Sequence, residues 1–393
     1  MDVAFSPAEE QFRTELRGYL AQTIPDEWHR PGYWTERDPT EAFEERRAWE
    51  RAKAEAGFAG IDWPVEYGGR GGTPGMAAVY DQEMARAGAP RSANQLGLVY
   101  LAPTIAAIGT EEQKRELIRP MLHDDTIWVQ GFSEPDAGSD LAAIRTSGVR
   151  DGAEFIVNGQ KIWTTQAGFG DRIFALVRTQ PGSQRHQGLS LLLIDMHQPG
   201  VEARPLMTMS GEQEFGEVFF TDARVPVGDC LGGVGNGWRT AMLLLSFERG
   251  ASGIGYHAAM HRHLATMLPR LRQARGGAAL LDPVVRQEFG RVIAELECLR
   301  YHSLSVLTRL EQGHDLGFEA SMTKLHWSET WQDLFECFTL ALGEDAALED
   351  PFGDGSVASL QAQALYSRSV TIWGGSAQVQ RNVIAERILA LPR

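Results

Sequence analysis

The sequence predicts an α+β chain of several domains: an N-terminal helical domain, a middle antiparallel β-domain and a C-terminal four-helix bundle. Apolar residues recur at helical spacing from residue 7 to about 120. Short β-rich runs separated by turn residues fill 127–227, and helical spacing returns after the glycine-rich stretch 232–237. A chain of 393 residues is long enough for two or three domains. We therefore place the domains at 1–122, 123–233 and 234–393.

Each domain contains segments whose periodicity identifies them individually. In the N-terminal domain, amphipathic helices are expected at 8–21, 74–88 and 111–121. In the middle domain, the most β-rich runs are 174–177, 189–194 and 217–220. In the C-terminal domain, long helical segments are expected at 238–275, 283–312, 318–342, 357–373 and 377–389.

Composition and charge exclude several classes of protein. There is no run of eighteen apolar residues and no basic segment at the N-terminus, so we expect neither a membrane span nor a secretory signal. A net charge of −15 disfavours nucleic acid and anionic membranes as partners. It also means that an anionic substrate would need basic residues around its site. Three widely spaced cysteines, Cys230, Cys298 and Cys337, are expected to be reduced core thiols of a cytoplasmic protein.

The ten residues 131–140, Gly-Phe-Ser-Glu-Pro-Asp-Ala-Gly-Ser-Asp, have the composition of a ligand-binding loop. Small residues at positions 137 and 138 allow a ligand to approach the backbone closely. Ser133 and Ser139 supply hydroxyl groups, and Pro135 stiffens the turn. Most clusters of this composition are ordinary surface turns, so the loop needs support from its neighbours.

The segment that follows predicts a β-hairpin. Residues 155–157 (Phe-Ile-Val) and 160–165 (Gln-Lys-Ile-Trp-Thr-Thr) are β-rich, and they flank Asn158-Gly159. An Asn-Gly pair favours a two-residue hairpin turn. The second strand of this hairpin would carry an indole and two hydroxyl groups back toward the loop.

Taken together, these residues resemble the acyl-CoA dehydrogenase family of flavoproteins. The loop matches the flavin-binding signature of that family, and Lys-Ile-Trp-Thr-Thr at 161–165 matches its companion strand. Further motifs in the same order occur at 63–69, 217–220 and 380–387, so the resemblance covers almost the whole chain. It implies a three-domain acyl-CoA dehydrogenase fold and FAD-dependent α,β-dehydrogenation of an acyl-CoA thioester to the 2,3-enoyl-CoA.

The resemblance also implies which residues of this chain form the site. The flavin would be bound by Gln130, Phe132, Ser133, Gly138, Ser139, Trp163, Thr165, Gly375, Ser376 and Gln378. The CoA thioester would lie along Ser139, Ser246 and Arg249. An electron-transfer flavoprotein would accept the electrons, as in the family.

The catalytic base must be a carboxylate that removes a weakly acidic proton from the α-carbon. Many members of the family carry it just before the Gly-Ser or Gly-Thr turn of the last helix, but here that position is Gly374. A second subset, which resembles isovaleryl-CoA and long-chain acyl-CoA dehydrogenases, carries it just before an arginine on the first C-terminal helix. The matching residue is Glu248, whose helical neighbours are apolar or small, although a structural ion pair is the alternative. In the family the backbone N–H at the position of Gly374 donates to the thioester carbonyl, so the resemblance implies that Gly374 could still do so without a side chain.

Two further motifs of the family are incomplete. The Arg-x-x-Phe-Gly stretch that reaches the FAD of a neighbouring subunit is replaced by Arg-Gln-Ala-Arg-Gly-Gly-Ala at 272–278. An Arg-Gln-Glu-Phe-Gly occurs at 286–290, but Phe289 lies on an apolar helical stripe and is expected in the core. The family's Gln-x-x-Gly-Gly-x-Gly segment is reduced to Gly343. Both losses affect contacts with another subunit, which points to a related but different partner chain.

Several alternatives remain open at this point. The assembly could be an α2β2 heterotetramer, similar to acyl-CoA dehydrogenases of bacterial steroid side-chain degradation, or a homotetramer with altered FAD contacts. The activity could be that of a flavin oxidase or monooxygenase on the same fold, or the chain could be a non-catalytic subunit. Small residues at 251–253 and 255 could make room for a bulky acyl group, or they could be close contacts between helices.

Overall fold

The computed structural model describes residues 4–30, 33–34, 36–248, 253–273, 278–314, 317–348, 350–352 and 360–392. Residues 1–42, 71–90 and 249–393 belong to one compact unit, here called the helical unit. Residues 43–70 and 91–248 belong to a second, here called the sheet unit. The helical and β-rich regions follow one another along the chain as the sequence predicts, while the division into domains at 122 and 233 stays a prediction.

The elements have the following bounds. The first part of the chain forms helices α1 (Pro7–Thr23), α2 (Pro39–Glu55), α3 (Pro74–Ala87), α4 (Ala102–Ile108) and α5 (Glu111–Leu122). The middle part forms strands β1 (Trp128–Gly131), β2 (Ser147–Asp151), β3 (Glu154–Thr165), β4 (Arg172–Arg178), β5 (Leu189–Asp195), β6 (Val201–Leu206), β7 (Phe215–Pro226) and β8 (Cys230–Leu231). The last part forms helices α6 (Gly237–Glu248), α7 (Gly253–Gln273), α8 (Ala278–Leu281), α9 (Pro283–Glu311), α10 (Ala320–Leu342), α11 (Leu360–Tyr366) and α12 (Ala377–Val383).

Local capping explains where the first helices begin. Ser6 and Glu9 form a reciprocal capping box at the start of α1, with the Ser6 N–H donating to Glu9 Oε2 at 2.7 Å. Thr110 and Gln113 do the same for α5. Such boxes satisfy N–H groups that the first helical turn leaves without partners. The three expected N-terminal helices are confirmed within two residues at each end.

The sheet is mixed rather than purely antiparallel, which corrects the expectation for the middle domain. Its strands follow the order β6-β7-β3-β2-β4-β5-β8, and β1 pairs with β4 in parallel. β2 also meets β4 in parallel, at Ser147 and Arg178, while the other pairings are antiparallel. β4 lies between β1 and β5, so its residues 173–177 are buried as one continuous apolar run.

The predicted hairpin turn at Asn158-Gly159 is wrong. These residues lie inside the single strand β3, where the pairing with β7 shifts register. Asn158 and Asp222 exchange two hydrogen bonds of 2.9 Å, and a Cβ at Gly159 would lie 2.5 Å from Thr146 Oγ1. Gly159 therefore serves a close approach at a bulge. The turn that joins β2 to β3 is at Gly152-Ala153, where Gly152 has a φ of 62°.

The C-terminal helices differ from the predicted segments at two places. Of the segment expected at 357–373, the structure describes 360–373, and within that part only 360–366 are helical. The last segment passes from α12 into a short π-helix, Ile384–Ile388. The segment expected at 238–275 contains α6 and α7, which lie on either side of 249–252, residues outside the described part of the chain. Helices α7, α9 and α10 pack on one another, and α10 also packs on α11 and α12. This arrangement corresponds to the expected C-terminal bundle.

Burial settles two smaller expectations. Phe289 is buried in the core of the bundle and packs on Phe338 with 6.0 Å between ring centroids, as expected. Cys230 and Cys337 are buried thiols, whereas Cys298 is exposed, because it lies on an outward-facing position of α9. No helix among the described residues has the length and apolarity needed to cross a membrane.

A buried carboxyl group lies in the connection between α5 and β1. Asp124 is 1% exposed, and neither of its carboxylate oxygens forms a hydrogen bond with a described residue. Burial, reinforced by the nearby Glu50 carboxylate, raises the pKa of Asp124 to about 8. Its backbone φ of 53° is one that Asn adopts as readily as Asp.

We predict that Asp124→Asn removes a pH dependence of stability. The pKa of the carboxyl group is about 8 in the folded state and close to its ordinary value of 3.8 in the unfolded state, so the folded state holds more protons between these values. Stability of the wild type should therefore fall as the pH rises through this window, by on the order of 2 kcal/mol or more. Thermal midpoints between pH 5 and 9 measure this. Asp125→Asn, a change at the exposed neighbour, should keep the wild-type slope, and parallel profiles for wild type and Asp124→Asn would contradict the prediction.

Candidate functional site

The loop 131–140 leaves the end of β1 and closes on itself in a tight turn. Glu134 and Ala137 exchange two backbone hydrogen bonds, of 2.9 and 3.0 Å. The loop is also joined to β3, since the N–H of Ile162 donates to the carbonyl of Ser133 at 2.9 Å. These bonds fix the backbone on either side of Pro135 and present the remainder, Gly138 and Ser139, at the surface.

A buried ion pair anchors the loop to β3. Lys161 is fully buried, and its Nζ donates to Glu134 Oε1 at 2.8 Å and to the carbonyl of Phe132 at 3.1 Å. Glu134 also accepts hydrogen bonds from the backbone N–H groups of Arg145 and Thr146, at 2.6 and 2.9 Å. All the charge of the loop's central carboxylate is thus compensated inside the protein, which is what a buried charge requires.

The pKa values of the pair follow from this environment. Burial opposes the charge of Glu134, but Lys161 and the hydrogen bonds from Thr146 and Arg145 outweigh it and lower the pKa of Glu134. Burial is the largest influence on Lys161 and lowers its pKa to about 8, although the Glu134 carboxylate acts in the opposite direction. The carboxylate is therefore the firmly ionised member of the pair.

The role of Lys161 as the partner of a buried carboxylate could have been inferred from the sequence. Phe155, Val157 and Lys161 occupy alternate positions of β3, and the structure buries all three. A lysine on the buried face of a strand demands a buried carboxylate. Glu134 is the acid of the loop that lies in reach, whereas Asp136 and Asp140 are exposed.

Trp163 has the most unusual conformation among the candidate residues. It is 58% exposed and has a φ of 60°, at a second register shift between β3 and β7. A bulky residue with positive φ is strained, and such strain concentrates at ligand sites. Phe215 meets the indole edge-to-face with 6.1 Å between ring centroids. The bulge therefore directs a large aromatic ring out of the strand and holds it there.

The exposed part of the loop offers free donors. Among the described residues, none accepts a hydrogen bond from the N–H groups of Gly138 and Ser139 or from the hydroxyl groups of Ser133 and Ser139. A Cβ at Gly138 would meet nothing within 4 Å, so the space above the backbone is open. Unpaired donors, open backbone and an exposed indole fit a flat, polar-edged cofactor such as a flavin.

The other predicted flavin residues of this unit take different positions. Phe132 is buried and packs edge-to-face on Phe174 with 6.0 Å between centroids, so it anchors the loop and could meet a ligand only through its backbone. Gln130 and Thr165 are half-buried on β1 and β3. Loop and strand thus bring Ser133, Gly138, Ser139 and Trp163 into one surface region.

A glycine turn in the helical unit carries the remaining candidates. Gly374 and Gly375 have φ values of 66° and 86°, and Ser376 caps α12 by accepting from the N–H of Val379 at 3.3 Å. The buried Gln380 donates to the carbonyls of Gly374 and Gly375, at 2.9 and 3.3 Å. A Cβ at Gly375 would lie 2.5 Å from Gln380 Nε2, so the turn requires glycine there.

The turn leaves donors free in the same way as the loop. Within the described part of the chain, the Gly374 N–H has no acceptor. This is the group that the family resemblance assigns to the thioester carbonyl. Gln378 is exposed on the first turn of α12. The helical unit therefore retains the backbone donor although it lacks a carboxylate at position 374.

The predicted base lies at the limit of what is described. α6 ends at Glu248, and the Glu248 side chain and residues 249–252, including Arg249, are outside the described residues. Ser246 is exposed, and its hydroxyl donates to the carbonyl of Leu243 at 2.6 Å. Ala241 and Leu244, which share a helical face with position 248, are fully buried.

The small residues of α7 are close contacts between helices. A Cβ at Gly253 would lie 2.5 Å from Ser303 Oγ on α9, and one at Gly255 would lie 3.2 Å from Asp81 Cβ on α3. Both glycines therefore let neighbouring helices approach, and they do not open space for an acyl chain. Of the two interpretations of these residues, the structure favours close packing at 253 and 255.

Sequence analysis did not identify a basic depression beside the loop. It has a volume of about 250 Å³ and is lined by Arg145, Arg178, Arg185 and their neighbours in 140–144 and 183–184. Arg178 donates to five carbonyl groups and a hydroxyl, which shapes the connection between β4 and β5. Arg145 and Arg185 are exposed. The depression supplies the local positive charge that an anionic substrate needs on this acidic chain.

Three family sequence models match the chain in order. They describe the N-terminal domain of acyl-CoA dehydrogenase over residues 6–125, the middle domain over 130–223 and the C-terminal domain over 235–389. A curated relative, acyl-CoA dehydrogenase IpdE1 of Mycobacterium tuberculosis, is 40% identical over 389 residues, which are 98% of both chains.

Two of the similar solved structures are of proteins named for two chains. The steroid ACAD Tcur3481-Tcur3483 is 30% identical, with a TM-score of 0.85 and full coverage of both chains. The ChsE4-ChsE5 complex from Mycobacterium tuberculosis is 29% identical, with a TM-score of 0.84 and the same coverage. The fold is thus shared along the entire length of these chains.

We predict that Lys161→Met strongly destabilises the sheet unit. The substitution leaves Glu134 buried without its cation, so we expect a loss of about 3–5 kcal/mol in the free energy of unfolding, measured by urea denaturation. Lys114→Met is the matched control, because Lys114 also lies 2.8 Å from a carboxylate oxygen, that of the exposed Glu111. The control should change stability little. Similar small losses in both variants would show that the buried pair does not hold the loop.

Proposed function

The chain belongs to the acyl-CoA dehydrogenase family, and we propose that it uses FAD to convert an acyl-CoA thioester into the 2,3-enoyl-CoA, with Glu248 as the base. As a member of this family it is an oxidoreductase that acts on acyl-CoA. The observation that carries the proposal is the strained, exposed Trp163 beside a loop whose free donors are fixed by a buried ion pair.

The sheet unit supplies the groups that would hold the flavin. The N–H groups of Gly138 and Ser139 and the hydroxyl groups of Ser133 and Ser139 are free to donate to the polar edge of the ring system. Trp163 offers an aromatic surface for the ring itself. When bound, the flavin would take the hydride that leaves the β-carbon of the substrate.

Glu248 would remove the proton from the α-carbon. Positions 241 and 244 on the same helical face are fully buried, which supports an apolar surrounding for position 248. An apolar surrounding raises the affinity of a carboxylate for a proton, as a base that accepts one from carbon requires. The free N–H of Gly374 would donate to the thioester oxygen as negative charge develops there.

The basic depression supports a CoA thioester as substrate. Arg145 and Arg185 stand at the surface next to the loop, and their guanidinium groups suit the phosphates of CoA. Ser139, Ser246 and Arg249 would lie along the thioester. The similarity to a steroid ACAD supports a steroid-derived acyl group, and an electron-transfer flavoprotein is the proposed acceptor.

We predict that Glu248→Gln abolishes turnover while the flavin stays bound. Loss of a general base should lower the rate of flavin reduction by acyl-CoA by about 10²–10⁴-fold, measured in a stopped-flow spectrophotometer. The visible spectrum gives flavin content, and Glu111→Gln at an exposed position of α5 is the control. Unchanged flavin reduction in Glu248→Gln would remove Glu248 as the base. Oxygen consumption without a 2,3-enoyl product in the wild type would favour an oxidase instead.

We also propose that the chain assembles with a related acyl-CoA dehydrogenase chain into a heterotetramer. Two stretches that would serve a neighbouring flavin depart from the family pattern, at 272–278 and 340–345. The literal Arg-Gln-Glu-Phe-Gly at 286–290 does not replace the first, because Phe289 is buried in the bundle core. The similar two-chain proteins Tcur3481-Tcur3483 and ChsE4-ChsE5 add support.

We predict that the chain expressed alone lacks its full complement of FAD. Native mass and flavin absorbance should show an undersized or weakly yellow product. Co-expression with a related chain should give a tetramer with roughly one FAD for each pair of chains. A homotetramer with about one FAD per chain would contradict the heterotetramer and leave the dehydrogenase activity unaffected.

A further inference from the structure

The helical unit contains a second cavity, to which the proposed dehydrogenase reaction assigns no role. It has a volume of about 660 Å³ and is bounded by α1, α3, α7 and α9 together with Phe5. None of the residues predicted to bind flavin or acyl-CoA lines it. Its volume lies within the range of small-molecule sites. The chemistry of its lining residues therefore indicates which ligand could bind there.

The lining is basic although the chain as a whole is acidic. Five arginines face the cavity, namely Arg13, Arg17, Arg86, Arg262 and Arg300. Two glutamates line it, Glu10 and Glu297, and a third, the buried Glu83, lies behind them and binds Arg13, Arg17 and Arg86. Five cations against three carboxylates leave an excess of two positive charges, on a chain whose net charge is −15.

Two polar side chains of this lining are without hydrogen-bond partners. His257 is 7% exposed, and neither ring nitrogen forms a hydrogen bond with a described residue; Nε2 is 3.8 Å from Glu297 Oε1. Arg262, five residues further along α7, forms no ion pair or hydrogen bond among the described residues either. Buried polar groups are nearly always satisfied, so a ligand is the natural partner for His257. Arg262 is exposed at the rim of the cavity, where its guanidinium is available to an anion.

The imidazole of His257 is a neutral donor. Burial is the main reason why the pKa of His257 is lowered to about 4; Glu297 opposes this, and His261, Arg300 and Arg86 reinforce it. The charged groups around the ring therefore lie on α3, α7 and α9 together. A dianion placed among them would compensate the excess charge and accept a hydrogen bond from the ring.

We propose that this cavity binds a phosphate monoester, with Arg262 and His257 as the donors that are free to receive it. A phosphate monoester carries up to two negative charges at neutral pH, which matches the excess on the lining. Guanidinium groups bind phosphate oxygens through paired N–H donors. The cavity is larger than a phosphate group, and Phe5, Ala258 and Ala265 provide a small apolar wall for an organic portion.

Titration calorimetry with inorganic phosphate and with AMP tests the proposal, on the protein in whatever assembly it is purified. We expect saturable binding of both, weakened roughly tenfold or more in Arg262→Gln. Tighter binding of AMP than of phosphate would assign the organic portion to the cavity as well. The control is Arg224→Gln, the same change of charge at an exposed arginine of the sheet unit, and it should bind as the wild type does.

A second readout does not depend on affinity. With ¹⁵N-labelled histidine, phosphate should shift the ring nitrogen resonances of His257 and raise its pKa, since a dianion favours the imidazolium. His257→Asn identifies the resonances. Absence of saturable binding of both probes, equal weakening in Arg262→Gln and Arg224→Gln, or binding that leaves the His257 resonances unmoved would overturn the proposal. The catalytic proposal would stand in each of these cases, because flavin reduction is measured separately.

Discussion

The buried ion pair between Lys161 and Glu134 is the interaction on which the candidate flavin surface depends. It joins the middle of β3 to Glu134 of the loop 131–140. Glu134 also accepts hydrogen bonds from the backbone N–H groups of Arg145 and Thr146, which ties the loop to that segment as well. The loop would otherwise be a short polar turn with Gly138 at its exposed end, free to adopt many conformations. Because both members are buried, separating them would leave each charge in the protein interior without its partner, and the loop is therefore held in one position. Preorganised donors lose little entropy when a ligand binds.

The same strand carries the second part of this surface through an irregularity. A regular β3 would place Lys161 and Trp163 on the same buried face, because side chains alternate along a strand. The register shift between Lys161 and Thr164 breaks the alternation, so Lys161 stays inside at 0% exposure while Trp163 is 58% exposed. This arrangement requires the strained, positive φ of Trp163, and the edge-to-face contact with Phe215 holds the indole ring in place. Burial of the anchor and exposure of the indole are therefore two results of one bulge.

Sequence reasoning was most successful where local chemistry decides the structure. Helix boundaries at α1 and α5 follow from capping boxes, and the core position of Phe289 follows from helical spacing. The predictions from sequence were wrong where contacts between distant segments of the chain determine the local structure. Asn158-Gly159 has the composition of a hairpin turn, yet pairing with Asp222 and the close approach of Thr146 make it a bulge. Gly152-Ala153 forms the turn instead. The parallel partner of β4 and the basic depression beside the loop are likewise products of tertiary structure. The loop and Trp163 could be proposed as a site from the sequence. The buried ion pair and the β-bulge that fix the geometry of this site could not.

Hydrogen–deuterium exchange with and without bound FAD would show whether the flavin binds at the loop 131–140, because it locates the flavin without altering the protein. The purified assembly would be compared before and after removal of its flavin. We predict that FAD slows exchange most strongly in peptides that cover 131–140 and 161–167. The first of these contains the Gly138 and Ser139 N–H groups, which have no acceptor in the described part of the chain. Unchanged exchange in both segments, with protection appearing elsewhere in the sheet unit, would show that the flavin does not bind at the loop anchored by Lys161 and Glu134.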